Sequence, residues 1–226
     1  MAGTLYVVST PIGNLNDISQ RAIDILNNVD YIAAEDTRHT KKLLNFYNIE
    51  SDILSYHEWN ELQRCKKIKQ DVSNGQTVAL VTDSGTPCIS DPGFRIVRFF
   101  KKENLDVKSI PGPSAVISAL SVSGLPTDSY YFEGFLPKKK GRKSKYDFFL
   151  TLDCSIILYE SPFRINKTLA EIHSYLGNRT VSVCRELTKK FEEVRTDFVA
   201  DLIIEFNEKN HKGEFVIIIS KEGFEL

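Results

Sequence analysis

The chain is sparing with the residues that most often announce chemistry. Its 226 residues include four cysteines, four histidines, one methionine and one tryptophan. Cys65, Cys88, Cys154 and Cys184 lie far apart, and no pair has the spacing of a zinc or redox motif. They read as reduced thiols of a cytosolic protein, not as a disulfide framework. Cys65 and Cys184 are expected to be small packing residues. His39, His57, His173 and His211 are equally scattered. "HEWNE" (57–61) opens like a zinc site but lacks the second histidine at helical spacing, so no metal centre is expected.

An excess of one charge is also missing. Lys and Arg number 29 against 30 Asp and Glu, for a formal net charge of −1. A globally basic nucleic-acid binder is not indicated, and any such activity must come from a local patch. No apolar run reaches the roughly 18 to 20 residues of a membrane span. "MAGTLYVVSTP" lacks the charged leader and apolar core of a signal peptide, so a cytoplasmic protein is expected. No Gly-Lys-Ser/Thr occurs, which excludes a P-loop, and "PIGNLND" has one glycine where a dinucleotide fingerprint has three. What remains is 42% hydrophobic and 26% charged, the make-up of a packed core under a solvated surface.

The first half alternates strand and helix signals. Strands are predicted at "LYVVS" (5–9), "YIAAE" (31–35), "ILSYH" (53–57), "TVALVT" (77–82) and "VKSI" (107–110). Helices are predicted over 17–29, 37–47, 58–74 and 92–103, the first with Asp17 as N-cap and Gln20 closing a capping box. Such alternation implies parallel strands with helical crossovers. After "PGPSA" (111–115) the pattern changes. Helices over 115–124, 164–176 and 198–209 intersperse with strands over 130–135, 155–160, 180–187 and 213–220, and a hairpin or mixed sheet is expected. A boundary near Pro111–Pro113 gives α/β domains at 1–112 and 113–226.

Ligands of parallel sheets bind beyond the carboxyl ends of the strands. Three polar, turn-rich segments fall there: "STPIGNLND" (9–17), "TDSGTPCISDPG" (82–93) and "PGPSA". Glycine lets a ligand approach the backbone, and proline fixes a loop before binding. The plainer reading is strand–helix turns with good caps. "AEDTRHTKKLL" (34–44) sets Glu35, Asp36 and Arg38 at a strand–helix junction, where Asp36 either caps the helix or faces the same crevice. "YESPFR" (159–164) repeats the arrangement with Glu160 and Arg164. "CRELTKKFEEV" (184–194) is densely charged and reads as a solvated face or as a further segment at the sheet's edge. Between Lys138 and Lys145, six of eight residues are cationic, and Tyr130, Tyr131, Phe132, Phe135, Tyr146, Phe148 and Phe149 flank them. Cations can hold phosphates while aromatics stack on unpaired bases. The alternative is a solvated loop whose aromatics point inward.

Together, "TPIGNLND", "AEDTRHTKKLL", "HEWNE", "LVTDSGTPCISDPG", "PGPSA", "SGLPTDSYYFEGFLPKKKGR", "YESPFR" and "CRELTKKFEEV", in this order, resemble the bacterial ribosomal RNA small-subunit methyltransferase I family of the tetrapyrrole methylase fold. The resemblance covers essentially the whole chain. It implies two α/β domains with a cofactor cleft between them, a homodimer, and S-adenosyl-L-methionine as methyl donor. It implies methylation of the ribose 2′-oxygen of a cytidine in the decoding region of 16S ribosomal RNA. Many members continue past the strand matching "GEFVIIIS", so a substrate contact made there is expected to be missing or replaced. Relatives have Gly-Asp-Pro where this chain reads Gly85-Thr86-Pro87.

By the same resemblance, Asp83, Ser84, Gly85, Thr86, Pro87 and Ile89 contact the cofactor, with Pro11, Ser114 and Ala115. Tyr159, Leu187 and Gly213 of the second domain enclose the adenosine. Asp36, Glu160 and Glu186 are candidate proton acceptors, and Arg38 and Arg164 candidate clamps for phosphate or oxyanion charge. Orientation without a dedicated base is the other possibility. Lys138, Lys139, Lys140, Arg142, Lys143 and Lys145 are the candidate contacts to RNA phosphates. The alternative function is a methylase of tetrapyrroles or other small molecules on the same fold. A nucleotide-binding module without catalysis is more distant.

Overall fold

The computed structural model describes residues 3–207 and 211–226. The chain divides into two compact units, Met1–Ser114 and Ala115–Leu226.

The amino-terminal unit is built on β1 (Thr4–Val8), β2 (Tyr31–Ala34), β3 (Ile53–Ser55), β4 (Val78–Val81) and β5 (Asp106–Ile110), all parallel in the order β3-β2-β4-β1-β5. Every residue of β2 and β4 is buried, as expected of strands covered on both faces. β5 lies at the edge and exposes Asp106, Lys108 and Ser109. The crossovers carry α1 (Gln20–Asn28), α2 (Thr37–Phe46), α3 (Glu61–Ser73) and α4 (Phe94–Lys102). Ala22 and Leu26 of α1 and Leu43 and Leu44 of α2 pack with Val8, Ile32 and Val81. Ile68 and Val72 of α3 and Ile96 and Phe100 of α4 pack with Leu5, Val78 and Leu80 on the other face.

This strand order creates a reversal point. The chain leaves β1 over one face toward β2, and leaves β4 over the other face toward β5. The connections diverge outside the carboxyl ends of the neighbours β4 and β1, where a crevice opens in such sheets. The turn after β1 differs from expectation. Residues Leu15–Asp17 form a separate 3₁₀ turn capped by Asn14, and α1 starts later with Ser19 as its cap, its Oγ accepting the Ala22 N–H at 3.2 Å. Gln20 bonds Asp24 along the helix instead of closing a capping box.

The carboxyl-terminal unit has a mixed sheet of β6 (Tyr130–Phe135), β7 (Ser155–Glu160), β8 (Thr180–Arg185), β9 (Glu193–Phe198) and β10 (Phe215–Ile219), ordered β6-β7-β10-β8-β9. β6 and β7 are parallel, and the remaining pairs are antiparallel. Its helices are α5 (Ala115–Val122), α6 (Arg142–Phe149), α7 (Ile165–Leu176) and α8 (Val199–Asn207). The expected helix 198–209 matches α8, and its last positions, Glu208 and Lys209, lie outside the described residues. The core joins Tyr146 and Phe149 of α6 to Ile156 and Leu158 of β7, Leu169 and Ile172 of α7 and Ile217 of β10.

Two elements escaped the sequence reading. α6 occupies the second half of the basic segment and buries Arg142, Tyr146 and Phe149, one helical face whose first member is charged. β9 begins inside the charged run "CRELTKKFEEV" and forms an edge, where one side of the strand faces water. Because β8 runs parallel to β7 through two antiparallel steps, the loops following β6, β7 and β8 and the one preceding β10 gather at one end. Among the described residues, no helix is long and apolar enough to cross a membrane.

Candidate active site

The segments after β1, β4 and β5 meet at the carboxyl edge of the amino-terminal sheet. Thr10 and Gly85 pair backbone to backbone in both directions, N–H to C=O, at 2.8 and 3.1 Å. Thr10 Oγ1 donates to the Thr82 carbonyl at 3.1 Å. Ser9 Oγ and Thr86 Oγ1 are hydrogen-bonded at 2.8 Å, and Thr86 Oγ1 reaches the Pro113 carbonyl at 3.2 Å. Gly85 has φ +83°, and a Cβ there would lie 3.4 Å from Ile12 Cγ2 and 3.7 Å from the Pro113 carbonyl oxygen. The space tolerates a methyl group, but the left-handed backbone penalises any side chain. Pro11, Gly85 and Pro87 are buried and brace the loops, Asp83, Thr86, Ser114 and Ala115 are half-buried, and Ser84 and Ile89 are exposed.

Cys88 (φ +74°) and Ser90 (φ +63°) flank Ile89 in left-handed conformations. Glu186 (φ +49°) and Thr188 (φ +65°) do the same around Leu187. Non-glycine residues seldom hold such angles, and strain of this kind collects at functional loops.

Glu35 and Asp36 follow β2, beside the β4 loop. The Asp36 N–H donates to Asp83 Oδ1 at 3.0 Å, and Thr82 Oγ1 donates to Glu35 Oε2 at 2.7 Å. Asp36 does cap α2, accepting the Arg38 N–H at 2.8 Å, and its other oxygen pairs with the Arg38 guanidinium at 2.7 Å. These bonds hold its carboxyl well below the usual range, so it is a poor proton acceptor. Arg38 keeps most of its side chain in solvent.

In the carboxyl-terminal unit, Glu160 and Arg164 are joined to each other at 2.7 Å. Glu160 is 2% exposed. It also accepts from Thr168 Oγ1 at 2.6 Å and the Ser161 N–H at 2.8 Å, with the Arg142 guanidinium at 3.8 Å. A carboxylate so enclosed presents almost no surface to solvent. Arg164 likewise donates inward, to the Leu136 carbonyl at 3.1 Å. Glu186 binds Lys189 and the Glu214 N–H, each at 3.0 Å. Burial alone would raise its pKa, but these partners outweigh it and hold the carboxyl below its ordinary value. Gly213 lies against it, since a Cβ there would come within 2.5 Å of the Glu186 side chain. The sheet register brings Tyr159 of β7 opposite Val216 and Val216 opposite Cys184, so Tyr159, Leu187 and Gly213 share one end of the sheet.

The basic segment splits. Lys138, Lys139, Lys140 and Lys143 are exposed. Lys145 is tied to Glu133 at 2.7 Å. Arg142 is 5% exposed and cannot hold a phosphate. Its Nε pairs with Glu171, and its terminal nitrogens bond Thr168 Oγ1 at 2.6 Å and the Pro137 carbonyl at 3.2 Å. Of the flanking aromatics, Tyr146 and Phe149 are core, while Tyr130, Phe135 and Phe148 are exposed. A polar groove lined by Asp30, Lys41, Asn45, Glu50 and Asp52 contains none of the candidate residues. Among the described residues, no three His, Cys, Asp or Glu side chains are placed to hold a metal ion.

The model of the Tetrapyrrole (Corrin/Porphyrin) Methylases matches residues 4–203. The chain is 47% identical over 222 residues to a Ribosomal RNA small subunit methyltransferase I of Halalkalibacterium halodurans, covering 98% of this chain and 77% of that protein. The chain belongs to the ribosomal RNA small subunit methyltransferase I family. A Hydrogenobaculum member is 48% identical over 221 residues, covering 97% of this chain and 96% of its own length. An Escherichia coli O157:H7 member is 43% identical, with 96% and 77% covered. Solved structures that share the fold include a cobalt precorrin-4 methyltransferase (TM-score 0.71, 17% identity, 96% of this chain and 94% of that one). A diphthine synthase is also similar (TM-score 0.76, 12% identity, 98% and 91% covered).

One titrating group at this sheet edge was not singled out from sequence. Asp91, half-buried in the β4 loop, has its pKa pushed up to about 7 by burial and by the nearby charge of Glu35, against an opposing hydrogen bond from Thr82. Its position in "SDPG" resembles an ordinary turn aspartate, and only the fold brings Glu35 beside it. The folded protein holds this proton where the unfolded chain, near 3.8, has released it. Stability should therefore fall as pH rises from about 4 to about 7. Asp91→Asn should remove that part of the slope and gain on the parent at pH 8. Denaturant unfolding across pH checks this, and parallel curves for the two proteins would count against it.

Proposed function

We propose that the chain is an S-adenosyl-L-methionine-dependent methyltransferase acting on the RNA of the small ribosomal subunit. Its acceptor in this reading is the ribose 2′-oxygen of a cytidine in the decoding region of 16S ribosomal RNA. The observation that carries the reading is the knot of loops at β4, β1 and β5 in a chain of this family, with Gly85 held left-handed between Ile12 and Pro113. The loops combine exposed Ser84 and Ile89 with half-buried Asp83, a mixture of polar and apolar groups suited to a zwitterionic nucleoside. Tyr159, Leu187 and Gly213 are the proposed adenosine contacts of the second unit. When bound, the cofactor supplies a methyl group already activated on a sulfonium.

The chain's own residues would orient the ribose hydroxyl and receive its proton, directly or through water. Asp36 and Glu186 are held ionised by their partners, whereas Asp91 takes up a proton near neutral pH. Exposed Lys138, Lys139, Lys140 and Lys143 suit the phosphates of an RNA acceptor. A cytoplasmic homodimer completes the reading. Ile117 and Val122, each 53% exposed on α5, supply apolar surface for the pairing.

Calorimetry with S-adenosyl-L-methionine should find one site per chain. Gly85→Val should weaken it by about tenfold or more, since a branched side chain at positive φ costs roughly 1–2 kcal/mol and displaces the loop. A folded variant with undiminished affinity would take the loop out of the site. Nuclease digestion and mass spectrometry of the methylated RNA should place the new methyl on a ribose; a methylated base would overturn the acceptor. Light scattering at micromolar protein should report twice the chain mass, and a monomer would refute the dimer.

A further inference from the structure

We propose that Phe163 is a stacking platform for an unpaired base, set beside a phosphate-holding loop at Lys138–Lys140. The proposal rests on the RNA-methylating reading and names how that substrate is gripped. Phe163 is 96% exposed, so folding makes no use of its ring. It follows β7, while Lys138–Lys140 follow β6, and these strands are parallel neighbours. Adjacent strands lie about 5 Å apart, so the two loops leave the sheet side by side.

Buried charge fixes the loops to one another. Glu160, at the end of β7, is bonded to Arg164 at 2.7 Å, directly after Phe163. Arg164 in turn binds the Leu136 carbonyl at 3.1 Å, and Arg142 binds the Pro137 carbonyl at 3.2 Å, directly before Lys138. The ring and the lysines therefore spring from anchored backbone, which lowers the ordering cost of a ligand that touches both. Lys138, Lys139 and Lys140 have no ion-pair partner among the described residues, in contrast to Lys145 and Arg142. Bare cations beside a bare aromatic match single-stranded RNA, in which phosphates and unstacked bases alternate. Trp59 is 92% exposed too, but its loop, "HEWNE", offers carboxylates and no Lys or Arg.

The test titrates salt against binding of a fluorescent single-stranded RNA oligonucleotide. It compares the parent, Phe163→Ala, Phe163→Trp and the triple change of Lys138, Lys139 and Lys140 to Ala. Phe163→Ala should weaken binding on the order of 5- to 100-fold with an unchanged salt slope, because stacking releases no counterions. Phe163→Trp should restore it. The lysine variant should flatten the slope by up to about 2 units. S-adenosyl-L-methionine calorimetry and light scattering on the same proteins should be unaltered. Undiminished RNA affinity in Phe163→Ala would overturn the platform, as would a loss accompanied by a changed slope. A change in oligomeric state with intact RNA binding would make the ring a subunit contact and equally end the proposal. If the parent methylates RNA while Phe163→Ala binds as tightly, the platform alone fails. A parent that neither binds the cofactor nor methylates RNA fails the functional reading itself.

Discussion

The amino-terminal site depends on one reciprocal backbone pair, Thr10 with Gly85. It welds the loop after β1 to the loop after β4 at the point where the crossovers part to opposite faces of the sheet. Everything around it follows from that weld. Thr10 Oγ1 turns inward to Thr82, Ser9 meets Thr86, and Thr86 reaches Pro113. Gly85 makes this pair with a left-handed backbone, φ +83°, a conformation that glycine adopts without steric cost. The polar groups that line the edge are therefore spent largely on one another. What stays open to solvent is a short list headed by Ser84 and Ile89.

The parallel half of the fold was legible because burial on both faces writes near-continuous apolar strands, and "YIAA" and "VALV" say so plainly. The loops were legible because their glycines and prolines stand directly after those strands. α6 was hidden because lysines dominate its first turn and its buried face opens with an arginine, a residue whose burial depends on Glu160 and Glu171 arriving from β7 and α7. β9 was hidden for the opposite reason: an edge strand needs only one apolar side, and its other side reads as a charged surface. The start of α1 was misplaced because Asp17 and Ser19 are both good caps, and the 3₁₀ turn claims the first. Partnerships between distant segments left no local mark, so neither the Arg142–Glu171 pair nor the Glu35–Asp91 proximity could be read in advance.

Two ways of using charge divide the carboxyl-terminal unit. Arg142, Glu160, Arg164 and Glu171 form a network beneath the surface in which each charge answers another and hydroxyl or backbone groups take the remaining valences. Such a network contributes little net stability over well-packed apolar residues, but removing one member strands the others. Its value lies in direction: it ties the ends of β6 and β7 and the start of α7 to common points. Lys138, Lys139 and Lys140 have no ion-pair partner among the described residues and remain available to the solvent. A single basic run in the sequence thus resolves into an internal brace and an external charge.

β9 closes one side of the mixed sheet and leaves a row of backbone donors and acceptors unpaired at its outer margin. Along it, Glu193, Arg195 and Asp197 bring a carboxylate, a guanidinium and another carboxylate at alternate positions. A second copy adding itself in antiparallel register about Arg195 would set guanidinium against guanidinium, and in parallel register would set every charge beside its like. Extension of the sheet from chain to chain is therefore opposed from this margin. Concentrated protein should resist fibre growth in these two registers at this margin.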